Sequence, residues 1–166
     1  GGLVSGIGAY IKEVSPTIKL IGVEPAEAAS MTAALGSGKR VSLEEIGIFA
    51  DGAAVRQVGK ENFLLAQRHV DEMLTVTIDE ICAAVKDIFE DTRSIAEPAG
   101  ALSLAGVKQY ISKYQIKEKH FVSILSGANV NFDRLRHIAE LAELGEEREV
   151  LIGATIPEKP GSFRDF

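Results

Sequence analysis

Met73-Leu74-Thr75-Val76-Thr77-Ile78-Asp79-Glu80-Ile81-Cys82-Ala83-Ala84-Val85 is the stretch that decides the fold. Met73 to Val76 is a short apolar run, partly β-branched, and reads as a strand. Thr77 and Glu80 stand three apart, as in a capping box. The threonine oxygen can accept the N–H three residues on, while the glutamate reaches back to the N–H of Thr77. A helix to about Glu90 follows, with Ile81, Val85, Ile88 and Phe89 on one side. A strand that passes directly into a capped helix is half of a βαβ unit.

The same alternation extends outward in both directions. Upstream, Leu3 to Val14 keeps a 3.6-residue apolar stripe and is stopped by Ser15-Pro16. Ile18 to Val23 reads as a buried strand between Pro16 and Pro25. Ala26 to Leu35 reads as an Ala-rich helix leaving through Gly36-Ser37-Gly38. Val41 to Val58 has no clean period and is expected to be loop, and Lys60 to Val70 is helical. Downstream, Glu97-Pro98-Ala99-Gly100 opens a helix over Ala101 to Tyr114. Phe121 to Leu125 reads as a buried strand with Ser126-Gly127-Ala128-Asn129 as its polar exit. A last helix covers roughly Asp133 to Leu144. The expected class is α/β, with a mainly parallel sheet and flanking helices.

Residues 145–149 are charged and read as a linker between a first domain, 1–144, and a second one. Val150 to Ile156 then reads as a new strand and Pro157 to Gly161 as a turn, so 150–166 is expected to be the truncated start of that second domain. Gly1-Gly2-Leu3 looks like the middle of a loop, and the chain is expected to be an internal segment of a longer protein.

Composition narrows the function. Of the 166 residues 46% are hydrophobic and 25% charged, with a net charge of -6. That balance excludes a mainly disordered chain. The acidic surplus argues against a nucleic-acid partner, which needs a basic face. No apolar run approaches the roughly 20 residues of a membrane span, so no membrane partner is expected. The lone Cys82 cannot form an internal disulfide, which suits a reducing cytoplasm. His69, His120 and His137 have no ligand spacing, and no metal site is read from them.

Open α/β sheets bind ligands where strands run out into loops and helices. Three segments have chemistry for that edge. Gly1-Gly2-Leu3, with Gly6 and Gly8, stands at a helix start, where backbone N–H groups and the helix dipole favour a phosphate; a tight turn with close packing is the plainer alternative. Ser126-Gly127-Ala128-Asn129 offers a hydroxyl after a strand, or simply a turn or cap. Glu97, before Pro98, could equally complement a helix dipole. Gly2-x-x-x-Gly6-Ile7-Gly8 also resembles the nucleotide loop of short-chain dehydrogenases. The Tyr-x-x-x-Lys pair of that family is missing: Tyr10, Tyr110 and Tyr114 are followed at that spacing by Val14, Tyr114 and Glu118.

Five segments carry a more extensive resemblance: Gly1-Gly2-Leu3, Gly22-Val23-Glu24-Pro25, Phe49-Ala50-Asp51-Gly52-Ala53-Ala54-Val55, Ala96-Glu97-Pro98-Ala99-Gly100-Ala101 and Leu125-Ser126-Gly127-Ala128-Asn129-Val130-Asn131-Phe132. In this order they resemble the biosynthetic threonine dehydratases (threonine ammonia-lyases), pyridoxal-phosphate enzymes of the tryptophan-synthase β-chain fold. Glu143 to Glu149 and the tail Ile156 to Phe163 add to the likeness, the tail being similar to the opening of the family's ACT-like regulatory domain.

The resemblance implies a set of roles. Gly1, Gly2 and Leu3 would end the glycine loop that holds the cofactor phosphate. Ser126 would hydrogen-bond the pyridine nitrogen. Glu97 and the Asp51-Gly52-Ala53 loop would line the pocket. Glu24 and Ala28 correspond to a cation site in related racemases and dehydratases, but Ser30 stands where some of those relatives have an Asp, so no metal is expected. The family's Schiff-base Lys lies in an upstream Ser-Phe-Lys type segment that is absent here. No catalytic residue is therefore expected in this chain, and the segment alone should be inactive. The implied activity is deamination of L-threonine to 2-oxobutanoate, the first step of isoleucine synthesis, by an allosteric, cytoplasmic homotetramer. The alternatives are a serine dehydratase or serine racemase, or a non-catalytic α/β binding module.

Overall fold

The computed structural model describes residues 1–146 together with Thr155 and Ile156. The first helix, α1 (Gly2–Val14), ends as expected at Ser15-Pro16. Strand β1 (Ile21–Pro25) leads through a 3₁₀ turn (Ala26–Ala28) into α2 (Ser30–Ser37). A long loop holding a second 3₁₀ turn (Asp51–Ala53) reaches α3 (Lys60–His69) and strand β2 (Glu72–Val76). Three helices follow: α4 (Ile78–Thr92), α5 (Pro98–Tyr114) and α6 (Arg134–Gly145). The two strands pair in parallel, from Ile21 opposite Glu72 to Pro25 opposite Val76. The class is the expected α/β one, with helices around a small parallel sheet.

The capping box is formed. The Glu80 N–H donates to Thr77 Oγ1 at 3.3 Å, and the Thr77 N–H donates to Glu80 Oε2 at 2.7 Å. The main core lies where α4, α5 and α6 meet the end of β2. Val76, Ile81, Cys82, Val85, Leu102, Ile138 and Ala142 are all buried there. Ala84, Ala101 and Ala105 let the helix axes approach closely, and each fully buried branched side chain contributes about 1.5–3 kcal/mol. Burial also pushes the Cys82 thiol up to about 12, so it behaves as a small apolar side chain. A smaller cluster of Met31, Ala34, Val58, Phe63 and Ala66 joins α2 to α3.

At the other end of the sheet, Glu72 gathers three partners. It accepts from Tyr114 Oη at 2.6 Å, from Lys19 Nζ at 2.9 Å and from Lys113 Nζ at 3.3 Å. The Tyr114 and Lys19 bonds favour the ionised carboxylate and lower Glu72 to about 2. Lys19 also donates to Tyr110 Oη at 2.7 Å, so the segment before β1, strand β2 and the last turns of α5 are fastened together.

Three expectations need correction. The first strand begins at Ile21 rather than Ile18. The preceding residues are held by side chains instead of a ladder: Lys12 Nζ donates to the Ile18 carbonyl, and the Leu20 N–H donates to Asp71 Oδ2. The helix expected over Ala26 to Leu35 is broken at Ala29, whose ψ of 56° is not helical. Glu24 causes the restart, because its carboxylate accepts the first N–H groups of α2.

The largest correction concerns Phe121 to Leu125, which is neither a strand nor buried. Val122 is 86% exposed and Leu125 47%. A strand is a relation between two backbones, and among the described residues the two-stranded sheet of β1 and β2 does not include this segment. It runs instead along α5, where Ser103 Oγ donates to the Ile124 carbonyl at 2.8 Å.

Helix α6 extends through Gly145, the first residue of the expected linker, and Lys86 Nζ donates to Glu146 Oε2 at 2.8 Å. Residues 147–149, the expected strand 150–156 (apart from Thr155 and Ile156, which carry no regular structure) and the turn 157–161 lie outside the described residues. Among the described residues, no helix is long and apolar enough to cross a membrane.

Candidate functional site

Three of the sequence-selected segments come together at the start of α5. The Glu97 N–H donates to the Gly127 carbonyl at 3.1 Å, which ties the residue before α5 to the 126–129 segment. The approach is close enough to require glycine on both sides. A Cβ on Gly100 would stand 2.9 Å from the Gly127 nitrogen, and a Cβ on Gly127 would run into the Glu97 carboxylate. The Asp51–Ala53 turn closes the group: a Cβ on Gly52 would lie 3.1 Å from Ala99 Cβ and 4.0 Å from Glu97 Oε1. The half-buried Glu97 carboxylate thus faces Gly52 on one side and Gly127 on the other. Ser126, the next residue along, is exposed.

Gly1, Gly2 and Leu3 sit elsewhere, at the start of α1. They are exposed, and that helix start has neither a side-chain cap nor an acidic residue in its first turn. Its position is fixed from α3: Ser5 Oγ donates to the Asn62 carbonyl at 2.8 Å. Backbone N–H groups at a helix start are chemically able to hold a phosphate, and the exposed Ser126 hydroxyl is able to donate to a ring nitrogen.

The Glu24 carboxylate is used inside the protein. Oε1 accepts the Met31 N–H at 2.8 Å, and Oε2 accepts the Thr32 N–H and Thr32 Oγ1, each at 2.8 Å. Ala28 and Ser30 are fully buried beside it, and Ser30 Oγ has no partner among the described residues. No cluster of three or more His, Cys, Asp or Glu able to hold a metal occurs among the described residues.

Sequence reasoning missed one group entirely. Phe49 is held between Glu27 and Arg134: its N–H donates to Glu27 Oε1 at 3.2 Å, and its carbonyl accepts from Arg134 Nη2 at 2.9 Å. The guanidinium lies 5.4 Å over the Phe49 ring, and the His137 ring meets that ring edge-on at 6.2 Å. Two open clefts flank it and share Glu27 and Phe49 as lining. One, of about 450 Å³, continues along Val76, Thr77, Asp79 and His137; the other includes Asp51 and Arg134. Arg134 and Phe49 are 85 residues apart, so no local pattern could have paired them.

The structure is thus a parallel α/β scaffold in which Gly52, Glu97 and Gly127 meet at the start of α5. Residues 1–127 match the family described as pyridoxal-phosphate dependent enzyme, and the chain belongs to that family. Its whole length is 51% identical to part of the biosynthetic L-threonine dehydratase of Pasteurella multocida, covering 32% of that protein. It is 55% identical to the mitochondrial threonine dehydratase of Saccharomyces cerevisiae over 99% of this chain and 29% of the relative. The processed threonine deaminase isoform 2 of Solanum lycopersicum superposes with a TM-score of 0.84 and 44% identity, over 86% of this chain and 41% of that one. The chain thus spans about a third of the length of the curated relatives it matches.

Proposed function

We propose that the full-length protein containing this chain is a pyridoxal-phosphate dependent threonine ammonia-lyase. It would convert L-threonine to 2-oxobutanoate and ammonia as the first step of isoleucine synthesis. The observation that carries this reading is the meeting of Gly52, Glu97 and Gly127 beside Ser126, in a chain about half identical to named threonine dehydratases along its whole length. Gly1, Gly2 and Leu3 would hold the cofactor phosphate through their N–H groups. Ser126 would donate its hydroxyl to the pyridine nitrogen, and Glu97 and Gly52 would line the pocket. When bound, the cofactor withdraws electrons from the amino acid's α-carbon. This chain's share is to bind and orient that group, and the lysine that bonds it would come from another part of the protein.

The assembly reading is proposed on the same basis: a homotetramer whose residues from about 150 onward begin an ACT-like regulatory domain, with 145–149 as the connection. A cytoplasmic, reducing location is proposed from the unpaired Cys82. The direct test is to supply the purified full-length protein with pyridoxal phosphate and threonine and to follow 2-oxobutanoate. Product should form with the full-length protein, and none above control with the 166-residue chain alone. Absence of product from the full-length protein would refute the reading.

A further inference from the structure

We propose that Arg134 is a positioning residue for the turn Asp51–Ala53, acting through Phe49; this rests on the reading that Gly52 faces the cofactor. Phe49 lies in the long loop before α3, outside any helix or strand. Its two backbone polar groups are therefore satisfied by side chains rather than by a ladder. Glu27, in the 3₁₀ turn directly after β1, takes the N–H, and Arg134, the first residue of α6, supplies the donor to the carbonyl. The bond from Arg134 is charge-assisted and partly shielded from water, the setting in which such bonds are strong. The same guanidinium covers the Phe49 ring, so one side chain fixes both the backbone and the ring.

Between Phe49 and Gly52 there is no slack. Ala50 is 1% exposed, and its carbonyl accepts the Ala53 N–H at 2.9 Å, closing the turn. On its other side, Gly52 already approaches Ala99 and Glu97. A shift of Phe49 must therefore move Gly52 against Glu97 or open the turn. The helix behind Arg134 is anchored by packing and ion pairs. Ile138 and Ala142 seat α6 in the main core, and Lys86 on α4 donates to Glu143 at 2.7 Å and to Glu146 at 2.8 Å. Helix α6 is thus a strut whose first residue sets the cofactor-facing turn.

The test uses the full-length protein, stripped of cofactor and titrated with pyridoxal phosphate while absorbance and melting temperature are followed. Arg134→Met removes the donor and keeps the stem; it should weaken cofactor binding roughly tenfold. Arg134→Lys restores a cationic donor to the carbonyl but not the planar group over the ring, and should recover part of that loss. Wild-type affinity in R134M would overturn the proposal. So would a loss in R134M that R134K leaves unrecovered while both variants melt earlier by the same amount, since that pattern belongs to a residue that merely holds α6. Should R134M not fold, Glu27→Met removes the other bond to Phe49 and should weaken binding several-fold; unchanged affinity there overturns the proposal equally. Wild-type protein that binds no cofactor would sink the proposed function and this inference together. Normal wild-type binding with an indifferent R134M would sink this inference alone.

Discussion

Ile81 to Val85 and Phe121 to Leu125 are apolar runs of the same length with opposite fates. In the first, Ile81 and Cys82 are fully buried and Val85 is 4% exposed. In the second, Phe121 is 39% and Val122 86% exposed. The difference lies in what surrounds each run. The first is on a helix that satisfies its own backbone, starts with its own capping box and is packed against α5 and α6. The second lies outside any helix or strand and leaves its apolar side chains exposed, with Phe121 meeting Tyr110 of α5 at 6.3 Å between ring centres. An apolar run states a tendency to be buried; whether it is buried depends on a second surface.

The largest consequence is for stability. Ile81→Ala should destabilise the chain by about 2–5 kcal/mol, through lost burial and the cavity left behind. Val122→Ala should stay within about 0.5 kcal/mol. Denaturant midpoints of the two variants decide this, and equal losses would dissolve the contrast. Thiol chemistry probes the same pair next. Cys82 should react with an alkylating reagent roughly a hundredfold or more slowly than a thiol introduced by Val122→Cys in a Cys82→Ala background, because its labelling needs local opening. Comparable rates would mean that α4 is far looser than its packing indicates.

The smallest effect is expected at the anchored edge of the second run, where Tyr110 and Tyr114 join the Glu72 cluster. Glu72 is held at about 2, below its ordinary 4.5, so the unfolded chain takes up the proton more readily than the folded one. Its contribution is therefore complete above about pH 4.5 and is lost as pH falls toward 2. Glu72→Gln should flatten this acid limb of the stability curve. An acid limb identical to wild type would remove Glu72 from the account.

What could be read from the sequence follows the range of the interaction. The Thr77–Glu80 box, the Pro98 helix start and the β2–α4 passage are set by neighbours three or four residues apart, and all are present. The start of α2 is not local: its N–H groups are taken by Glu24, seven and eight residues upstream on β1, so an unbroken helix was expected in its place. The 121–125 strand misled for the reason already given, since pairing is not a property of one segment. In the candidate site, Glu97 and Ser126 are legible because a carboxylate and a hydroxyl stand at a helix start and a segment exit, whereas Gly52 is singled out by the family resemblance alone. The Glu27–Phe49–Arg134 clamp is not legible, because its members are brought together only by the fold.

The central claim is that this chain supplies the ring-nitrogen partner and pocket wall of a pyridoxal-phosphate site, and Ser126→Ala in the full-length enzyme tests it most directly. With Ser126 as the proposed partner of the ring nitrogen, its removal should cost about 1–3 kcal/mol, or roughly ten- to hundredfold in turnover if the loss falls on the transition state. Turnover, cofactor affinity and melting temperature should be read together. The account predicts slowed turnover with a changed cofactor spectrum and little change in melting; wild-type turnover with unchanged cofactor binding would contradict it.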